Sequence, residues 1–347
     1  MHVGLLFGGV SSEHEISIRS ARNLLGALQD AGHRVTPVRI ARDGRWHVET
    51  PEALRGDAEP DELGHRAASS ELADGLAAFL ALDLDVVFPI LHGQNGEDGR
   101  VQGLLSTVGL PFVGPGVLGS AVCMDKVVAK ELLAAAGVPV TPYRVARRGE
   151  PFDGAEAAEA LGLPLFVKPA NSGSSVGVTK VEAVAGLDAA LAEAYRYDPK
   201  ALVEQGVAAR EIECAVLGNE HPEASPLGEV VSTAAFYDYD AKYVDADASR
   251  LEVPADVPTE LAGRMRAIAL RAYRALACEG LARCDFFLLA DGTLFVNELN
   301  TLPGFTAKSL YPAMWAEAGL DGPALADRLV RLAAERHARD AELATTR

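Results

Sequence analysis

The stretch ARCDFFLLADGTLFVNELN, residues 282–300, holds two apolar runs around Asp291-Gly292. Asp-Gly between strand-forming runs favours a two-residue hairpin turn. With Ala290 and Thr293 flanking that turn, Asp285 faces Glu298 and Arg283 faces Asn300. Side chains alternate along a strand, so all four share one face of the hairpin. Like charges directly opposed are destabilising, and two close carboxylates need a cation or a shared proton. The oxygen set Asp285, Glu298 and Asn300 suits Mg²⁺ or Mn²⁺. The same residues also fit a solvated sheet face with Arg283 as counter-ion, and a longer turn would shift the register.

Working outward, residues 2–7, 33–40 and 85–91 read as strands, with a helix over 12–31 ended by Gly32. Strand, glycine loop, helix, strand is the rhythm of a parallel α/β layer. A second unit starts near Gly119 with one helix to Ala136, then strands at 140–146, 164–169, 176–181 and 201–205, with a helix over 183–196. A third carries strands near 211–218 and 226–233, a helix over 259–279, and the hairpin. Residues 50–75 carry no clear pattern, the last ten residues read as frayed, and no internal repeat is present. FYDYDAKYVDADASR, 236–250, is polar, aromatic and aperiodic, which fits a loop that closes over a site.

The chain has 347 residues, 49% of them hydrophobic, enough for two or three cores. The net charge of −17 disfavours nucleic acid, since such a surface repels phosphate backbones. Four cysteines without metal spacing read as reduced thiols, and nothing resembles a signal peptide or a membrane span, so the expected compartment is the cytoplasm, with no membrane partner.

There is no P-loop and no G-x-G-x-x-G after the first strand. Instead LPLFVKPANSGSSVGV, 163–178, ends a strand at Lys168 and continues through Ser172, Gly173, Ser174, Ser175 and Gly177, small donors that can approach phosphate. A flexible hairpin explains it equally well, and Lys126 alone reads as a surface lysine. Ser12 and Glu15 fit a capping box at the first helix; binding a substrate ammonium is the other reading of Glu15.

Eight segments, LFGGVSSEHEIS, FPILHGQNGEDGRVQG, FVGPGVLGSAVCMDK, VKPANSGSSVGV, EIECAVLGN, FYDYDAKY, ARCDFFL and VNELNTLPGFTAKSLYP, stand in an order that resembles the ATP-grasp superfamily, and within it the D-alanine–D-alanine ligases. They run from about residue 3 to 312. The resemblance implies an α/β protein, α+β in its C-terminal part, with a three-domain ATP-grasp fold whose N-terminal domain is parallel α/β. The domains are expected at 1–119, 120–206 and 207–347.

It further implies ATP as co-substrate, two Mg²⁺ (or Mn²⁺) ions on Asp285, Glu298 and Asn300, and a homodimer. Lys126, Lys168, Ser174, Ser175 and Lys242 are implied for the phosphates, Glu204, Gln205 and Val207 for adenine, and Glu211 for ribose. Glu15 and His92 are implied for the first D-alanine, Ser309 and Leu310 for the second, Arg283 and the Gly304 N–H for the oxyanion, and Glu15, Ser174 and Tyr243 as a hydrogen-bonded triad. In the family a tyrosine at position 243 goes with an amine acceptor, which argues against D-lactate and leaves D-serine open. A nucleotide sensor without turnover would be expected to lack one of the metal ligands or phosphate lysines, and all are present.

Overall fold

The computed structural model describes residues 1–56, 69–232 and 249–343. Three sheets organise it. The first is built from β1 (His2–Gly8), β2 (Arg34–Ile40), β3 (Trp46–Val48) and β4 (Val86–Pro89) in the order β3-β2-β1-β4. β1 pairs in parallel with β2 and β4, as the strand–glycine–helix rhythm predicts, and β3 adds an antiparallel edge. Helix α1 (His14–Asp30) buries Ala21, Leu24, Leu25 and Leu28 against this sheet, the 3.6-residue stripe of an amphipathic helix. The stretch expected to lack pattern contains α2 (Pro51–Arg55) and the start of α3 (Ser69–Leu80). Helix α4 (Arg100–Thr107) follows the HGQNGEDG loop.

The single helix expected up to Ala136 is two, α5 (Val117–Met124) and α6 (Lys126–Ala135). Asp125 separates them: its backbone is extended, and its carboxylate caps α6 by accepting from the Val127 and Val128 N–H groups. The second sheet has order β5-β8-β6-β7, from β5 (Tyr143–Arg147), β6 (Leu165–Pro169), β7 (Thr179–Val181) and β8 (Lys200–Gln205). Helices α7 (Gly154–Leu161) and α8 (Leu187–Ala194) cover one face and close a separate core around Leu165, Val167, Leu191 and Val203.

The third sheet is antiparallel, β11-β10-β9-β12-β13, from β9 (Ala209–Gly218), β10 (Glu223–Ser232), β11 (Ser249–Glu252), β12 (Gly280–Leu289) and β13 (Leu294–Asn300). Helix α9 (Thr259–Ala275) packs on it through Met265, Ile268, Ala269, Ala272 and Tyr273. Helices α10 (Leu310–Glu317) and α11 (Gly322–Ala341) end the described chain. Residues 338–341, expected frayed, belong to α11. These two helices share a core with the first sheet: Leu310, Tyr311, Met314, Leu325 and Leu329 pack with Val3, Leu5, Leu24 and Phe88.

The hairpin turn differs from the expected one. Leu289 N donates to Thr293 O and Gly292 N to Leu289 O, so the loop has three residues, with Gly292 at φ +84°. Next to the turn Leu288 pairs with Leu294 and Phe286 with Val296, one residue out of the anticipated register. A bulge at Asn297 restores it, and Asp285 pairs with Glu298 and Arg283 with Asn300. The extra residue also puts Asn297 and Glu298 both at partly exposed positions, breaking the in–out alternation of β13.

Candidate active site

The site's acidic groups are laid down by adjacent strands. Glu213 on β9, Asp285 on β12 and Glu298 on β13 stand in register, a row of three carboxylates across three strands. Cations answer them. Arg283 donates from Nε to Asp285 Oδ1 and from Nη2 to Asp285 Oδ2, each at 2.7 Å, and its Nε is 2.9 Å from Glu213 Oε2. Asn300 donates Nδ2 to Asp285 Oδ2 at 2.8 Å. Lys126 Nζ lies 3.1 Å from Glu298 Oε2 and donates to Ser172 O at 2.7 Å. The expected metal set is thus gathered on one face, and its charge is met by side-chain cations.

A second cationic group lies beside it. Glu204, buried on β8, is held between Lys130 Nζ at 2.5 Å and Lys168 Nζ. Burial pushes its carboxyl up, but Lys168 and Lys130 outweigh that and hold it below the usual carboxylate range. Lys168 also reaches Asn297 Oδ1 at 3.4 Å, across to the hairpin bulge. Glu204, expected at the adenine, has its carboxylate engaged by these two lysines. Gln205 N donates to Pro142 O, and Val207 follows β8 in the strand connection. Glu211 is partly buried on β9.

Lys130 was not singled out from sequence, although it lies one turn after Lys126 on the same helical face. Replacing it leaves Glu204 with one cation in a buried place. Lys130→Met should lower the unfolding free energy by about 3–5 kcal/mol, and Lys130→Met with Glu204→Gln by clearly less. Urea unfolding of both variants checks this.

The glutamate that bonds Ser174 is Glu13, two positions before the Glu15 expected in that triad. α1 starts at His14, so the Ser12–Glu15 capping box does not form, and Glu13 is the N-cap residue with no side-chain cap bond. Glu15 is half exposed and ion-paired with Arg42. Glu13 is buried, and its Oε1 accepts from Ser174 Oγ in the serine loop. A Cβ added at Gly93 or Gly173 would stand 2.8 or 2.9 Å from Glu13 Oε2, so two glycines form the cradle for this carboxylate. Ser174 and Ser175 adopt φ 48° and 60°, a left-handed conformation costly for residues with a Cβ and typical of segments held for function. Gln94 Nε2 donates to Asn171 O at 2.9 Å, a second link from the first unit to this loop.

His92 is buried; its Nδ1 lies 3.0 Å from Leu302 O and its Nε2 3.4 Å from Ser20 Oγ. Burial lowers its pKa, against the pull of Glu13, which favours a neutral ring. Ser20 Oγ accepts from Phe305 N at 3.2 Å, beside Gly304, whose absent Cβ would stand 3.0 Å from Ser309 Oγ. Ser309 accepts from Thr306 N at 2.9 Å. Leu310 turns its side chain into the core, which leaves its backbone as the part that can line the second D-alanine site. Lys242, Tyr243 and residues 236–248 of the expected lid lie outside the described residues, and 249–250 are in β11.

Glu97 was also missed. Its Oε2 accepts from Gly93 N at 2.7 Å and its Oε1 from Leu302 N at 3.1 Å, joining the HGQNGEDG loop to the segment after β13. Burial, and then the charge of Glu13, push its pKa up to about 8. Above its ordinary 4.5 the unfolded chain releases a proton that the folded one keeps until about 8. This contribution to stability is full below 4.5 and is lost as pH rises through 8. Metal-free protein should lose unfolding free energy over that window, and Glu97→Gln should flatten the slope. Urea midpoints at stepped pH in EDTA test it; identical slopes would refute it.

The site is thus an acidic row with four cations, a strained serine loop and a buried glutamate joining loop to helix. Residues 2–115 match the family model described as D-ala D-ala ligase N-terminus, and 132–331 the one described as D-ala D-ala ligase C-terminus. The chain belongs to the D-alanine–D-alanine ligase family. It is 50% identical over 99% of its length, and 98% of the relative's, to D-alanine–D-alanine ligase A of Chromobacterium violaceum. It is 45% identical to D-alanine–D-alanine ligase A of Escherichia coli K12, covering 100% of this chain and 99% of that one. The solved D-alanine–D-alanine ligase of Coxiella burnetii superposes with TM-score 0.84 at 34% identity, covering 99% of this chain and 96% of that one. The VanG D-Ala:D-Ser ligase of Enterococcus faecalis gives 0.80 at 32%, covering 96% and 99%. The fold of this ligase is accordingly the α/β ATP-grasp fold.

Proposed function

We propose that the chain joins two D-alanines to D-alanyl-D-alanine through a D-alanyl phosphate, releasing ADP and phosphate, for cell-wall precursor synthesis. The observation that carries the reading is the row of three carboxylates, met by Arg283 and Lys126, beside Lys168 and the serine loop. A free carboxylate does not react with an amine, because oxide would have to leave. The first D-alanine carboxylate attacks the γ-phosphorus of ATP, ADP departs, and an acyl phosphate results. Lys126, Lys168 and Arg283 offset the repulsion between the two anions.

The neutral amine of the second D-alanine attacks the acyl carbon. Arg283 and the Gly304 N–H receive the developing oxyanion, and phosphate leaves with the amine's remaining extra proton going to solvent. Glu13, with Ser174, replaces Glu15 as the partner of the first ammonium; His92 is placed near it. Asp285, Glu298 and Asn300 fit a hard divalent cation by their oxygen donors and by the excess negative charge of the row. Bound Mg²⁺ or Mn²⁺ would supply charge neutralisation to the triphosphate. Gln205, Val207 and Glu211 are proposed for the nucleoside, and Ser175, Lys242 and Tyr243 for the closing loops.

Domains at 1–119, 120–206 and 207–347 are proposed on the strength of one sheet falling in each span. A cytoplasmic place agrees with four reduced cysteines; homodimer assembly rests on the resemblance and is tested by sizing. Among the described residues no helix is long and apolar enough to cross a membrane. Phosphate release with D-alanine, D-serine, D-lactate and L-alanine tests the whole. D-Alanine should stimulate it with one ADP per dipeptide; turnover indifferent to D-alanine, with no dipeptide, would sink it. The likeness to a D-Ala:D-Ser ligase makes D-serine the acceptor to compete against D-alanine.

A further inference from the structure

We propose that Glu213 is a positioning residue that keeps the Arg283 guanidinium in place when Asp285 turns to another cation. The proposal rests on the ligase reading above and concerns a residue that reading leaves without a role. Glu213 is buried and sits on β9, a strand flanked on both sides by β10 and β12, so its Cα has little freedom. It stands directly opposite Asp285, and two opposed carboxylates need a cation or a shared proton between them. Arg283 is that cation for both: its one Nε–H is donated to Asp285 Oδ1 at 2.7 Å, and Glu213 Oε2 stands 2.9 Å from the same nitrogen as an ion pair.

The two partners are not equivalent. Asp285 holds Arg283 with two hydrogen bonds, yet it belongs to the proposed metal set. Its two oxygens cannot serve a divalent cation and two guanidinium donors equally well, since like charges then compete for the same lone pairs. Glu213 lies on the other side of Asp285 from Glu298, away from the metal set, and contacts Arg283 through Nε. Released by Asp285, the Nε–H turns to Glu213 Oε2 and holds the guanidinium there, while both Nη groups become available to the reacting carbonyl oxygen. Without Glu213, Arg283 would either stay on Asp285 or swing away.

Glu213→Gln in the full chain tests this with MgATP and D-alanine. The kcat for dipeptide should fall about 10–100-fold, as for outer partners of site ligands, with KM for ATP little changed. Because the second step slows selectively, acyl phosphate is lost to water and ADP per dipeptide rises above one. Mn²⁺ affinity by paramagnetic resonance should move less than about fivefold, what one neighbouring charge is worth in water. A merely structural role would lower both steps together and leave the stoichiometry at one, which overturns the proposal. Mn²⁺ affinity reduced more than about tenfold would instead make Glu213 a metal ligand, and overturns it too. Should Glu213→Gln not fold, Glu213→Asp decides, since it keeps the charge and withdraws it from Nε; the same split is expected in smaller degree. Failure of the ligase reading looks different: the unmodified chain then forms no dipeptide, and both ideas fall.

Discussion

Arg283→Ala should lose dipeptide synthesis by at least about 10²–10³-fold, the worth of one oxyanion donor, while ATP still binds. The guanidinium is the only group on the described β12 face that can meet an oxyanion there, and its two acidic partners show that it is held and not roaming. Its removal leaves Glu213 and Asp285 opposed without their cation, so the variant should also be less stable in EDTA and recover in part with Mg²⁺. Dipeptide chromatography beside ATP-binding fluorescence reads both halves. Retained turnover in a folded variant would remove Arg283 from the chemistry.

The second large effect separates two glutamates. Glu13→Gln should raise the D-alanine requirement and lower kcat/KM by about 2–5 kcal/mol, the cost of truncating a buried charge that pairs with another. Glu15→Gln should stay within about 1 kcal/mol, because an exposed ion pair with Arg42 contributes little. Steady-state kinetics in D-alanine on both variants decides; equal losses, or the reverse order, would return the role to Glu15.

That contrast shows where the sequence was legible and where it was not. SSEHEIS offers two glutamates, and a helix start misjudged by two residues turns the side chain by roughly 200°, to the opposite face. The strand, glycine, helix, strand rhythm was readable because burial imposes a period. The Asp285–Glu298 pairing was also anticipated, but through two offsets that cancel: a three-residue turn in place of two, and the bulge at Asn297. Nothing local marks that bulge, since its reason is long-range: it brings Asn297 toward Lys168. Lys130 carried a signal in its spacing from Lys126 that burial alone turned into meaning. Glu97 and Glu213 carried none, because each acts through partners distant along the chain.

The chain's two ends are welded into one chassis: Leu325, Leu329 and Val330 of the last helix interleave with Val3, Leu5 and Phe88 of the first sheet. The second sheet keeps its own apolar interior and meets that chassis by polar clasps such as Ser174 to Glu13 and Gln94 to Asn171. Polar clasps let go and re-form readily, whereas interleaved leucines do not. The part of the polypeptide held to the rest by the weaker links is therefore its middle, and clipping the final helix would unhinge the opening strand some three hundred positions away before it touched that middle sheet.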